Sequence, residues 1–245
     1  WYTKTHTMSL IDTIREERLA KVAVMRAQGI DPYPAESYRT HTNSEFLERY
    51  EQLEKARETL TLAGRVMSIR DQGGIAFIDL FDGGSRVQLL LKKDEVEESV
   101  FDSFQSFVDV GDFIEATGVP FTTKRGMQSL AASSWRMLAK ALRPIPEEWF
   151  GIKDEDERYR KRYLDMLTNE SVRDIARKRS VFWNAIRSFL LERGFIEVET
   201  PTLDTKTGGA EARPFISHHN ALDIDVFLRI SLELPLKKLC TGGVP

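Results

Sequence analysis

The sequence predicts a mixed α+β chain of more than one domain, on three observations. It has 245 residues, roughly one large or two modest domains. Between Thr61 and Trp135 short apolar segments alternate and are broken by glycine, as β-strands are, whereas the segments on either side repeat apolar residues at helical spacing. The run RPIPEEWFG, Arg143 to Gly151, then separates two halves, because Pro144 and Pro146 enforce extended backbone and remove amide donors.

In chain order, SLIDTIREERLAKVAVMRAQG from Ser9 places Leu10, Ile14, Leu19 and Val22 on one stripe and closes on Gly29, which predicts an amphipathic helix. DPYPAESYRT is a loop, and NSEFLERYEQLEKARE predicts a second, shorter helix with Asn43 as its N-cap. Five strands follow: TLAGRVMSIR, IAFIDLFDGG, SRVQLLL, DFIEATGV and MQSLAASSW, with a turn at Asp82-Gly83-Gly84. Between the third and fourth, Val96, Val100, Phe104 and Phe107 are spaced as on a helix. Five strands with one such helix are the layout of an OB-fold, a small Greek-key barrel that commonly binds single-stranded nucleic acid; a purely structural barrel fits the pattern equally.

Beyond the connection, DEDERYRKRY reads as a solvated helix face. A long helix is predicted from Ser171 to Arg193, with Ile175, Phe182, Ile186 and Phe189 on one stripe and Gly194 as terminator. FIEVET follows as an alternating strand stopped by Pro201, then a hairpin around His219 to Ala221, and a helix start at Glu233 to Leu239. The predicted organisation is a helical extension over 1–60, an OB-fold over 61–146, a hinge over 147–168 and the beginning of a second α/β domain over 169–245.

Composition narrows the function. Lysine and arginine number 35 against 38 acidic residues, a net charge of −3, which excludes a polybasic nucleic-acid binder. From Thr61 to Pro146 ten basic and eleven acidic residues leave −1, so any grip on nucleic acid must be local. Cys240 is alone, which excludes an intramolecular disulfide and a paired-cysteine zinc site and favours a reducing, cytoplasmic setting. No run approaches the ~18 apolar residues of a membrane span. Trp1 to Thr7 does not read as a signal peptide, and Met8 is the expected start.

Candidate site residues follow. Arg70, Phe77 and Gln88 fall on the first three strands, where an aromatic would stack on a base and an arginine and an amide would read base edges; the bland alternative puts Phe77 in the core and leaves Gln88 as polar filler. His218 and His219 point to opposite faces of a strand, which disfavours a shared metal. Gly208-Gly209 would bring backbone amides close to a small ligand, or simply form a tight turn. Glu233, among apolar residues, is either a pocket carboxylate suited to an amino group or a surface residue at a helix start.

RYRKRYLDML (Arg158 to Leu167), GFIEVETPTL (Gly194 to Leu203), GGAEARPF (Gly208 to Phe215) and HHNALDIDVFLRI (His218 to Ile230) resemble the class II lysyl-tRNA synthetases in order and along nearly the whole chain. Aspartyl and asparaginyl relatives share the barrel and the first class II motif, but GGAEARPF followed by HHNALD favours the lysine branch. The resemblance implies ATP-dependent activation of L-lysine and its transfer to tRNA(Lys), with Mg2+ assisting in the full-length enzyme. It implies that Phe77 stacks on an anticodon base beside Arg70 and Gln88, and that Gly209 contacts lysine through its backbone. Glu233 would pair with the α-amino group, and the first motif would build a homodimer.

Three departures stand out. Gly126-Met127 replaces a Gly-Glu pair and removes a carboxylate expected to help read the anticodon. Ser231-Leu232-Glu233-Leu234-Pro235 differs from the usual wording around the retained glutamate. The second and third class II motifs, which carry the ATP-binding arginines, would lie beyond Pro245. The chain alone is therefore expected to be inactive, with no catalytic or metal-binding residue assigned within it. A non-catalytic tRNA-binding or regulatory module is the alternative expectation, and an inactive dimerisation partner a third.

Overall fold

A computed structural model of the chain describes residues 9–146 and 152–244. The expectations on Trp1 to Met8, on Glu147 to Gly151 of the connection and on Pro245 fall outside them. Two compact units, 1–147 and 148–245, divide the chain.

In the first unit, helix α1 (Leu10–Ala27) opens with a capping box in which Ser9 and Asp12 satisfy each other's backbone and side chain. The second predicted helix is instead two, α2 (Asn43–Glu48) and α3 (Tyr50–Ala56), broken at Arg49. The N-cap is Thr42, boxed with Glu45, and not Asn43. Asn43 is buried: its side-chain amide donates to the carbonyls of Leu80 and Ser85, 3.0 Å each, and its backbone N–H donates to Asp82 at 2.8 Å. It pins the helix to the barrel, a tertiary use that local pattern does not reveal.

The strands β1 (Leu60–Asp71), β2 (Ile75–Phe81), β3 (Arg86–Lys92), β4 (Phe113–Thr122) and β5 (Gln128–Ala139) close a barrel in the order β1-β2-β3-β5-β4. Only β3 and β5 pair in parallel, and β1 with β4 completes the circle, so no strand edge is left open. Alternate residues such as Leu62, Val66, Ile78, Leu80, Leu89 and Ile114 fill the interior. Register slips between Thr117 and Gly118 on β4, where a side chain would collide with the backbone of Ala131, so glycine is required there. Helix α4 (Glu98–Phe107), entered through a 3-10 turn at Lys93–Glu95, adds Phe101 and Phe104 to the core, and Trp135 donates its indole N–H to the Val100 carbonyl at 3.0 Å.

A buried polar cluster joins α1 to the barrel. The Lys140 ammonium, fully buried, donates to the Phe107 carbonyl (2.7 Å), to the fully buried Asp112 carboxylate (2.6 Å) and to Asp109. From α1, Arg18 donates to the carbonyls of Ala141, Arg143 and Val110.

The second unit contains α5 (Glu155–Arg160), α6 (Arg162–Thr168), α7 (Glu170–Leu191), a three-stranded antiparallel sheet of β6 (Leu203–Asp204), β8 (Ile224–Leu228) and β7 (Ile216–His219) in that order, and α8 (Glu233–Thr241). Buried Asp165 holds α5 to α6 by pairing with Arg158 (3.2 Å) and Arg162 (2.9 Å). The predicted strand FIEVET does not form: residues 195–200 belong to no helix and no strand ladder. Side chains tie the segment down instead, Glu197 to the Arg187 guanidinium (2.6 and 2.9 Å) and the Thr200 carbonyl to Arg229 (2.6 Å). Alternation creates two faces, but a strand also needs a neighbour, and among the described residues none lies alongside.

Candidate nucleic-acid interface and ligand-binding loop

Residues directly opposed across a sheet share a face, so the barrel register decides whether Arg70, Phe77 and Gln88 meet. Arg70 opposes Phe77, and Asp79, two residues along β2, opposes Gln88. All three candidates therefore occupy one outer face. Phe77 is half-buried between the buried neighbours Ala76 and Ile78, which point inward, so it is not core. A phenyl ring on a rigid strand presents its flat side at little entropic cost, the geometry a stacked base needs.

Hydrogen bonds orient the polar members. Ser68 donates to Asp79 at 2.5 Å, and the same carboxylate faces the exposed Arg70 guanidinium at 3.8 Å. The Ser129 hydroxyl donates to the Gln88 side-chain oxygen at 3.2 Å. At the tip of the β4–β5 hairpin, Gly126 adopts a left-handed φ of 80°, and its N–H donates to the Thr123 carbonyl at 2.8 Å. Met127 follows, 56% exposed, and presents a thioether at the rim of the barrel.

The opposite side of the barrel is committed to holding the chain. Glu115, buried on β4, accepts hydrogen bonds from Arg136 (2.7 Å), the Ser37 hydroxyl (2.7 Å) and the Tyr38 backbone N–H (2.8 Å). Burial by itself would raise its carboxyl, but these donors outweigh it and hold the group below its ordinary value. Asp109 follows the same logic, with burial opposed and exceeded by Lys140 and Lys21. Beside Glu115, a cleft of about 390 Å³ is lined by Ser37, Arg39, Ala63, Gly64, Asp82, Phe113 and Leu138.

In the second unit Gly209 and Glu233 come together. Gly209 has φ of 82°, and a β-carbon on it would stand 2.9 Å from the Glu233 β-carbon and 3.0 Å from the Ser231 hydroxyl, so only glycine fits. Glu233 lies at the surface, as the second of its two alternatives had it. It opens α8, exposed, and its carboxylate accepts from Lys237 at 2.5 Å, the stable arrangement for an acid at a helix start with a lysine one turn on. His218 faces Asp225 (3.0 Å) and Asp223 (3.3 Å). Among the described residues no group of three or more His, Cys, Asp or Glu is placed to hold a metal ion, and no helix is long and apolar enough to cross a membrane.

The residues that sequence reasoning missed are Ser68, Asp79 and Ser129, which orient Arg70 and Gln88. Small polar residues on an outer strand face are common, so register alone reveals them.

Comparison with known proteins places these two regions. Residues 60–138 match the OB-fold nucleic acid binding domain, and residues 154–245 match the tRNA synthetases class II (D, K and N). The chain is 45% identical over 234 residues to a lysine–tRNA ligase of Roseiflexus castenholzii, covering 95% of this chain and 48% of the relative. It is 45% identical over 231 residues to one of Clostridium botulinum, covering 94% and 45%. With one of Thermoanaerobacter pseudethanolicus it shares 43% over 244 residues, covering 99% and 48%. The chain thus spans about half the length of the curated relatives it matches.

Proposed function

We propose, from the premise that this chain belongs to the class II tRNA synthetases and is homologous to lysine–tRNA ligases along 95% of its length, that it serves in the ATP-dependent attachment of L-lysine to tRNA(Lys). The observation that carries the proposal is the alignment of Arg70, Phe77 and Gln88 on one outer face of the nucleic-acid-binding barrel.

On this reading Phe77 stacks on an anticodon base. With its oxygen occupied by Ser129, the Gln88 amide presents its N–H groups to a base carbonyl. Arg70, held by Asp79, reaches a base edge or phosphate beside the ring. Met127 removes a negative charge from the rim, so discrimination rests on the other three. In the second unit the Gly209 backbone meets the lysine substrate and Glu233 takes its α-ammonium in a charge-assisted hydrogen bond. Lys237 must yield Glu233 for that pairing, since its ammonium stands 2.5 Å from the carboxylate.

ATP is a substrate of this family and Mg2+ its metal. Among the described residues no group of three or more His, Cys, Asp or Glu is gathered to hold a metal ion. Homodimerisation through the α7 region is supported by the exposed Val181, Phe182, Trp183 and Phe189, and a cytoplasmic location by the single cysteine and the partnership with tRNA.

The test is binding of the chain to an anticodon stem-loop bearing UUU, against loops with altered bases, at fixed salt because phosphate contacts are salt dependent. Selective binding, weakened roughly 5- to 100-fold by Phe77→Ala through loss of one stacked base, is the expected result. Equal binding to all loops, unchanged in the variant, overturns the reading.

A further inference from the structure

We infer that Phe121 and Lys92 form a second nucleotide platform on the barrel, one that takes another residue of the single-stranded loop beside the base on Phe77. This rests on the anticodon-binding reading above and extends it to residues with no assigned role.

The register supplies the surface. Asp79 opposes Gln88, Gln88 opposes Ser129, and Ser129 opposes Phe121. Phe121 therefore shares the outer face of Phe77 and Gln88, three strand spacings from β2, or about 14 Å along the sheet. The adjacent row crosses the same strands as Phe77, Leu90, Ala131 and Val119. That row is apolar throughout and offers bases a stacking surface, while Gln88 and Ser129 in the row beside it supply the polar contacts between the two rings.

Lys92 lies on the same face because it opposes Ile75, two residues from Phe77. Its ammonium stands 4.9 Å from the centre of the Phe121 ring and 2.6 Å from Glu95. A partly exposed cation–π contact is weak and the lysine stem is flexible, so an arriving base can take the ring face while the ammonium moves to the adjoining phosphate. Strand β4 continues into the hairpin whose exposed tip carries Lys124 and Arg125. That supplies the local positive field which the net composition of the barrel lacks. An OB-fold surface covers roughly four or more nucleotides, and Phe77 serves only one of them. A second half-exposed ring with its own cation matches what a neighbouring position requires, and it commits this face to RNA.

The experiment titrates the full chain with the UUU stem-loop and compares Phe121→Leu, Lys92→Gln and Phe77→Ala across a range of salt. Phe121→Leu keeps an apolar side chain and is expected to weaken binding about tenfold with an unchanged melting temperature. Lys92→Gln is expected to lower the slope of log K against log salt by about 0.7, the loss of one single-strand phosphate contact. An abasic loop lacking one base other than that at Phe77 should bind the parent and Phe121→Leu equally. If both variants bind like the parent with an unchanged slope while Phe77→Ala weakens binding, the second platform is wrong and the anticodon reading stands. If Phe77→Ala is also without effect, the anticodon reading fails and takes this inference with it.

Discussion

The two units solve the problem of burial differently. In the first, five strands close on themselves, every strand has two neighbours, and α1, α3 and α4 add Met25, Leu53 and Phe104 to one core. In the second, a sheet of three short strands has no further strand at either edge among the described residues, and α7 exposes Phe182 at 60% and Trp183 at 52%. Its buried apolar residues are Val172 and Val226 among those described. Both units hold similar apolar residue types, so composition does not separate them. What differs is closure: a barrel satisfies its backbone and its apolar face internally, whereas an open sheet with an amphipathic helix leaves both for something else to cover.

The contrast can be broken most sharply at the buried cluster. Lys140→Ala strands Asp112 as an unpaired buried carboxylate and should cost about 3–5 kcal/mol, read by urea unfolding with Trp135 fluorescence. A loss below about 1 kcal/mol would mean that water reaches Asp112 and that the closure is looser than described. Next, Leu62→Ala should cost about 2–5 kcal/mol because it opens a cavity in a closed core. Phe189→Ser, on the exposed face of α7, should stay within about 0.5 kcal/mol in the same measurement. Similar costs for the two would abolish the difference between the units.

A smaller effect concerns acid. Glu115 and Asp109 are held below their ordinary values in the folded barrel, so their stabilisation is fully present above the ordinary carboxylate range and is lost as pH falls through the lowered folded values. Barrel stability should therefore decline below about pH 4.5, the ordinary glutamate value. Glu115→Gln should be less stable at neutral pH and show a flatter acid limb in thermal melts. The smallest effect sharpens the comparison by salt. Glu197 in the second unit is also lowered by Arg187, but that pair is exposed. In 1 M salt its carboxyl, followed by NMR titration, should return toward the ordinary value, while buried Glu115 should hold its shift.

Much of this was legible before any coordinates. The alternation in IAFIDLF and the run VQLLL announced strands, Phe104 and Phe107 announced the helix between them, and the segment around His219 to Ala221 announced a hairpin. These signals are local, since they report which side of an element is apolar. For FIEVET and for Asn43 the deciding factor was a partner distant in sequence, absent in the first case and present in the second. FIEVET alternates as a strand does but has none to pair with. Asn43 has the chemistry of a cap, yet its amide is drawn to Leu80 and Ser85 across the barrel.

Residue order alone settled most of the element types, the split into two regions and the three residues Arg70, Phe77 and Gln88 as candidates. Short-range periodicity, turn chemistry and charge count are properties of neighbouring residues, and folding does not alter them. It took the assembled chain to settle that those three share one face, that Phe121 and Lys92 join them, that Arg18 and Lys140 anchor α1, and that Gly209 meets Glu233. Each of these depends on register between strands or on contact across tens of residues. A one-residue slip in pairing would send every such side chain to the opposite face, and only the closed barrel and its buried partners specify which register is adopted.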